Sequence, residues 1–191
     1  MHDTLKAHIL HWVDMEGSEL EAVSRYFELL DVNKKHNLLK EGQVCGHSYF
    51  VVKGLLRLFF INSKGTEQTT QFAMENWWMA DYTSFSTQQP SEFYIQAVEP
   101  TTLVRLSYSA QEELLAECPK MEKYFRLLHQ RVHAASQVRM KLQYDFSREE
   151  LYLDFNKRFP EFVQRIPQYL MASYLGFTPE YLSEIRKKKI S

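Results

Sequence analysis

The sequence predicts an α+β chain in which a strand-rich stretch lies between two helical ones. Three observations lead there. From Leu38 to Leu106, short runs of β-branched and aromatic residues (YFVV, LLRLFFI, EQTTQFA, TTLVRLS) are separated by turn chemistry at Lys53-Gly54, Asn62 to Gly65 and Gln89-Pro90. Before this stretch, and again from Ser109 onward, apolar residues recur at helical spacing. Within the second helical stretch, one seam repeats every seven residues. Many short strands with such turns imply a sandwich, a roll or a barrel.

The elements follow in chain order. Residues 3 to 30 read as helical, with Ser18 and Glu21 as a capping box and Leu20, Val23, Phe27 and Leu30 on one face. After the strands, a long helix is expected from Pro119 to about Phe146, because proline is acceptable in a first turn. Met121, Leu128, Ala135 and Leu142 recur in one register of its seam, and Tyr124, Arg131 and Val138 fill the other. So narrow a seam, with the small residues Ala134, Ala135 and Ser136, favours a second copy of the same helix over the alternative, packing against the strand-rich region alone. The expected partner is therefore the chain itself, as a homodimer.

Ser147 and Glu150 form another capping box, opening a short helix that breaks at Phe159-Pro160. Pro167 starts the next helix, with Leu170, Met171 and Tyr174 or Leu175 on its inner face, and Gly176 supplies the positive φ that ends it. Thr178 caps a last helix, Pro179 takes its first position, and Leu182 and Ile185 point inward. Ala172 is small enough for the two helices to cross closely. This is the arithmetic of a helix-turn-helix whose second helix enters the major groove of DNA, so double-stranded DNA is the expected partner.

Composition removes several classes. With 45% hydrophobic and 14% aromatic residues the chain can bury real cores, so it is not disordered. The absence of any run of about 18 apolar residues, and a charged N-terminus, predict no membrane span and a cytoplasmic protein. Cys45 and Cys118 are too few and too far apart for a disulfide framework or an iron–sulfur cluster. No phosphate loop, GxSxG elbow or HExxH appears, and His8 with His11, or His129 with His133, lack a third ligand. His47 is a weak candidate for a haem ligand. No catalytic residue, metal site or cofactor is assigned, and the chain is not expected to be an enzyme. Residues 1–140 carry 14 Lys+Arg against 17 Asp+Glu, whereas residues 141–191 carry 9 against 7 and end on Arg186 to Lys189, pointing to an anionic partner for the tail.

Four stretches, LLKEGQVC, YFVVKGLLRLFF, SREELYLDFNKRFP and PQYLMASYLGFTPEYLSEIRKKK, resemble the Crp/Fnr family of bacterial transcription regulators, in the variant common among Bacteroidetes-type regulators. The resemblance implies an N-terminal jelly-roll β-roll like a cyclic nucleotide-binding domain, with flanking helices, over residues 1–108. Connecting and dimerisation helices would occupy 109–146, and an all-α helix-turn-helix domain 147–191. It also implies RNA polymerase as a further partner. The effector pocket would be formed by Ala80, Asp81, Tyr82, Ser91, Glu92 and Phe93. Relatives that sense a cyclic nucleotide place Gly-Glu and then Arg-Ser where this chain has Ala80-Asp81 and Ser91-Glu92. The phosphate-gripping arginine is missing, and Glu92 would repel a phosphate, so cAMP is not expected to bind in the usual way. A rewired pocket for another small molecule stays open, as does an interaction module that binds no DNA.

The DNA-binding residues expected from the resemblance are Gln168, Tyr169, Thr178, Glu180, Tyr181, Ser183, Arg186, Lys187 and Lys188, with Arg165 and Lys189 also near phosphates. The family's arginines at the first position of the reading helix and five residues on are here Pro179 and Glu184. Glu180 can accept from a cytosine amino group, and Ser183 can serve either base type. The β-hairpin wing of relatives is not expected, because the sequence ends at Ser191.

Overall fold

A computed structural model describes residues 2–190, with the side chains of 188–190 left out of the description. Two compact units emerge: residues 1–60 with 70–129, and residues 61–69 with 130–191.

The first unit opens with α1 (Asp3–Trp12) and α2 (Gly17–Ser24), followed by β1 (Glu28–Val32), β2 (Asn37–Leu39), β3 (His47–Lys53) and β4 (Leu56–Ile61). β5 (Glu67–Ala73), β6 (Trp78–Met79), α3 (Tyr82–Thr87), β7 (Tyr94–Ala97) and β8 (Thr101–Ser107) come next. α4 (Tyr108–Glu117) and the long α5 (Pro119–Asp145) complete the series, α5 running into the second unit after His129. The strands form two four-stranded sheets, β1-β8-β3-β6 and β2-β7-β4-β5, a jelly roll with antiparallel ladders. This is the α+β fold expected from the sequence.

The N-terminal reading needs correction. Helix does not continue from 3 to 30: it stops at Val13, and Phe27 and Leu30 belong to the approach and body of β1. The capping box of α2 is Glu16 with Glu19, not Ser18 with Glu21, because the helix begins two residues earlier than the serine suggested.

Strand alternation divides the apolar residues between two cores. Tyr49, Val51, Met79 and Leu103 face the interior of the roll and meet Leu56, Leu58, Ile95 and Ala97 of the opposite sheet. Phe50, Trp78, Val104 and Leu106 point the other way, onto a helical layer of Leu5, Ile9, Val23, Leu114, Met121, Tyr124, Phe125 and Leu128. The seam assignment is corrected here: Met121, Tyr124 and Leu128 are buried in this core at 0, 0 and 7% exposure, so they cannot offer a surface to a partner helix. The same apolar spacing that suits a coiled coil also suits a helix lying on a sheet.

Two local features lock the unit. Tyr124 is fully buried, and its hydroxyl accepts from Trp78 Nε1 at 2.8 Å while lying 2.8 Å from His8 Nδ1, joining α5, β6 and α1 in one chain of bonds. Burial holds its hydroxyl far above the ordinary tyrosine range. Gly54, at φ +110°, makes the β3–β4 turn, and a Cβ there would stand 2.5 Å from Thr101 Oγ1, so no other residue fits.

The second unit holds the rest of α5 with α6 (Arg148–Arg158), α7 (Pro160–Arg165), α8 (Gln168–Leu175) and α9 (Pro179–Ile190), plus the tip joining β4 to β5. The Ser147–Glu150 box caps α6, and Pro160 opens α7 after the break at Phe159. Tyr152, Phe162, Ile166, Leu170, Met171, Ala172, Phe177, Leu182 and Ile185 are buried. β5 is an edge strand, and in its tip the backbone at Glu67 and Thr69 bonds to the Ser173 side chain of α8.

Tyr124→Phe removes the hydroxyl that Trp78 and His8 share without opening a cavity. Its expected cost is about 1–3 kcal/mol, the desolvation penalty of buried polar groups deprived of a partner. Urea unfolding of the variant beside the wild type checks this, and equal midpoints would refute a structural role for the hydroxyl.

Candidate functional sites

The first candidate lies where β6 passes into α3. Asp81 is buried and caps α3, accepting from the backbone N–H of Thr83 at 3.1 Å and of Ser84 at 3.3 Å. Ser91 is equally buried and donates its hydroxyl to Asp81 Oδ2 at 2.6 Å, while accepting from Phe93 N–H at 2.9 Å. Ser84 Oγ donates to Gln89 O at 2.5 Å and accepts from Cys45 N–H at 2.9 Å. The two dipeptides separated by ten positions in the sequence are thus joined to each other: Asp81 and Ser91 use their polar atoms on one another and on the local backbone.

The other pocket residues divide. Ala80 is buried in the roll, Tyr82 is 37% exposed and stands edge-on to His129, and Glu92 is exposed. Phe93 is half-buried and meets Phe60 edge-on at 6.0 Å between ring centres. The neighbouring tryptophans are also divided between two environments, since Trp78 belongs to the helical side of the first sheet while Trp77 is 42% exposed.

Sequence reasoning passed over two groups. Arg57 is buried on β4, donating to Gln96 Oε1 at 2.7 and 3.0 Å and lying 3.9 Å from the centre of the Phe59 ring. Strand alternation places it opposite Leu56 and Leu58, which face the roll interior, and that period was the signal available in the sequence. At the other end of the roll, Arg105 forks both its Nε and Nη2 onto Glu28 Oε2 at 2.9 and 2.6 Å. His47 is half-buried nearby, and burial, with Arg105 adding to it and Glu28 opposing, holds its imidazole below the ordinary range.

The second candidate is the α8–α9 pair. Gly176 at φ 73° turns the chain; its N–H bonds to Ser173 O at 3.3 Å, and the next N–H, of Phe177, reaches back to Ala172 O at 2.8 Å. These are the two bonds of a Schellman turn. Thr178 Oγ1 accepts from Tyr181 N–H at 3.2 Å and caps α9, with Pro179 at its start. Leu182 and Ile185 are buried, and α9 packs on α8.

Gln168, Glu180, Glu184, Arg186 and Lys187 stay in solvent, as do Tyr169 at 54% and Tyr181 at 37% exposure, while Ser183 is half-buried. Tyr181 stands edge-on to Phe177, at 5.6 Å, which limits its rotamers. The expected contributions of Lys188 and Lys189 lie outside the described side chains.

The third candidate is the remaining length of α5. Val132, Val138, Met140 and Tyr144 are exposed by 44, 50, 59 and 86%, Arg131 and Ala135 are exposed too, and Leu142 is half-buried. The surviving seam is therefore Arg131, Ala135, Val138 and Leu142, at alternating steps of four and three.

Among the described residues, no group of three or more His, Cys, Asp or Glu is arranged to hold a metal ion, and no described helix is long and apolar enough to cross a membrane.

Comparison with known proteins adds the fold's relatives. Residues 29–118 match the sequence model of the cyclic nucleotide-binding domain. No curated protein matches the chain in sequence. Among solved structures, the c-di-GMP-responsive global regulator CLP of Xanthomonas campestris superposes with a TM-score of 0.71 at 13% identity, over 91% of each chain. FixK2 of Bradyrhizobium japonicum gives 0.68 at 15%, over 85% of this chain and 83% of its own. The catabolite activator protein of Thermus thermophilus gives 0.57 at 18%, over 95% of this chain and 85% of its own. At these identities the likeness is one of fold, and the neighbours are regulators of the Crp/Fnr type.

The direction of His47's shift sets a pH dependence. Its folded imidazole resists protonation more than the unfolded one, so its contribution to stability is present above the unfolded value of about 6.5 and is lost as pH falls below it. Thermal unfolding should show the midpoint dropping between about pH 7.5 and 5.5, and His47→Gln should flatten that drop. An unchanged slope in the variant would refute the assignment.

Proposed function

We propose that the chain is a DNA-binding transcription regulator of the Crp/Fnr type that works as a homodimer in the cytoplasm. The observation that carries this reading is the α8–Gly176–α9 pair. Its Schellman turn and capped start hold Leu182 and Ile185 inward and leave a polar, partly basic face in solvent. Such a helix, carried on a second one that braces it, is suited to the major groove.

On this reading Glu180 accepts from a cytosine amino group, Ser183 and Tyr181 flank it, and Gln168 and Tyr169 reach the backbone from the start of α8. Arg186, Lys187 and Lys188 neutralise phosphates. Glu184 works against this and narrows the set of sequences tolerated.

Dimerisation is assigned to the second half of α5. An apolar stripe of Ala135, Val138 and Leu142 on a solvent-facing helix costs free energy unless another surface covers it, and a second copy supplies a matching stripe. Two reading heads related by a twofold axis then meet half-sites about 34 Å apart. RNA polymerase is the further partner this class of regulator implies.

The roll is assigned no cyclic AMP. A cyclic phosphate brings a negative charge that must be matched by a guanidinium or several donors, whereas Asp81 already accepts from Ser91 at the site. One observation favours a second reading: the neighbour CLP is c-di-GMP-responsive, so the roll of this chain can be tested for another nucleotide.

Titration calorimetry should show no heat with cyclic AMP, and saturable heat with cyclic di-GMP would support the second reading. In a gel-retardation assay the chain should shift DNA from its own upstream region. The logarithm of the affinity should fall against the logarithm of salt with a slope of about −3 to −6, about 0.9 for each phosphate neutralised. Absence of a shift at low salt would sink DNA binding and leave an interaction module as the reading.

A further inference from the structure

We infer that Ser173 and Tyr174, neither of which points at DNA, set the angle at which the reading head is carried on α5, and so select the spacing between half-sites. The inference rests on the DNA-binding reading above.

Ser173 holds α8 from one side. Its hydroxyl donates to Glu67 O at 2.9 Å and accepts from Thr69 N–H at 2.9 Å, while Gln68 Nε2 donates to the Ser173 carbonyl. Glu67 and Thr69 are two apart on β5, so their carbonyl and N–H lie on the side of the edge strand where a further strand would pair. One hydroxyl fills both places. A donor and an acceptor on a single atom are required, and among side chains of this size only serine and threonine supply them.

Tyr174 holds α8 from the other side. The guanidinium of Arg139, on α5, lies over its ring at 4.0 Å from the centre, with Nη2 directed at the Tyr174 carbonyl at 3.5 Å. Phe155 of α6 meets the same ring at 5.6 Å. Burial raises the Tyr174 hydroxyl above its ordinary range. Arg139 follows Val138 directly, so this stack starts from the stretch of α5 assigned to the dimer.

Both grips fall on consecutive residues in the last turn of α8, immediately before Gly176. The Schellman turn and the buried Leu182 and Ile185 tie α9 to α8, so whatever fixes α8 also fixes the reading face. Small angles matter here. With an arm of about 17 Å, half the separation of two half-sites, a play of about 10° moves each head by about 3 Å, close to one base-pair step. A head held on two sides accepts one spacing; a head held on one side accepts neighbouring spacings, and binds the best of them less tightly because its orientation is no longer prepaid.

The test uses the full chain, wild type beside Ser173→Ala, Ser173→Thr and Arg139→Lys, in a selection from randomised DNA carrying two half-sites at graded spacings. Hydrogen exchange without DNA is followed over residues 66–70. Wild type should select one spacing. Ser173→Ala should keep the half-site sequence, spread over two or three spacings, lose about five- to tenfold in affinity at the wild-type spacing, and exchange faster at the hairpin tip. Ser173→Thr, which keeps the hydroxyl, should restore both readouts. Arg139→Lys keeps the charge but not the planar stack, so it should broaden the spacing without faster exchange at the tip. If the alanine and lysine variants both select the single wild-type spacing, the positioning role is wrong while DNA binding stands. If wild type itself selects no DNA, both fall together.

Discussion

One helix has to satisfy two environments. α5 runs unbroken for 27 residues, and its first third lies against the outer face of a sheet while the rest emerges into a different unit with apolar side chains in solvent. Everything else is arranged around that division. Met121, Tyr124, Phe125 and Leu128 close the core beneath α1 and α2, and the Tyr124 hydroxyl ties that core to Trp78 and His8. The helix itself is hydrogen-bonded continuously from Pro119 to Asp145.

The jelly roll spends its local polar groups on its own backbone. In the short α3, the end of a helix offers N–H groups that suit an anion, and here the buried carboxylate of Asp81 takes them. Ser91 then satisfies Asp81, and Phe93 packs edge-on against Phe60. Polar groups that complete one another internally cost less than groups left unpaired, so the arrangement stabilises the roll.

In the second unit, a short helix pair depends on backbone chemistry more than on area. Six-to-one and five-to-two bonds around Gly176 stop α8, and a threonine hydroxyl starts α9 within two residues. The buried residues between them are few and medium-sized, so the outer face is free to carry charge. The edge strand β5 is closed by a side chain, Ser173, instead of by another strand, which protects it from pairing with a second chain.

The sequence by itself determined the elements whose causes are local. The turn at Gly176, the caps at Ser147 and Thr178, the break at Phe159-Pro160 and the strand-rich middle all rest on residues within a few positions of one another, and each was legible. That Ser91 stands where cyclic-nucleotide-sensing relatives carry an arginine came from the resemblance, not from the residues alone. Tertiary structure decided the rest, because the deciding contacts join residues far apart in the chain. Helical spacing on α5 could not say whether Met121, Tyr124 and Leu128 meet a partner helix or a sheet, since both bury the same stripe. The apolar residues around Leu30 could be helix or strand until β8 supplied the register from Glu28 to Val32. Ser173 carried no signal at all: its partners lie more than a hundred residues away, and a lone serine in a helix reads as a solvated one until the edge of a strand is brought against it.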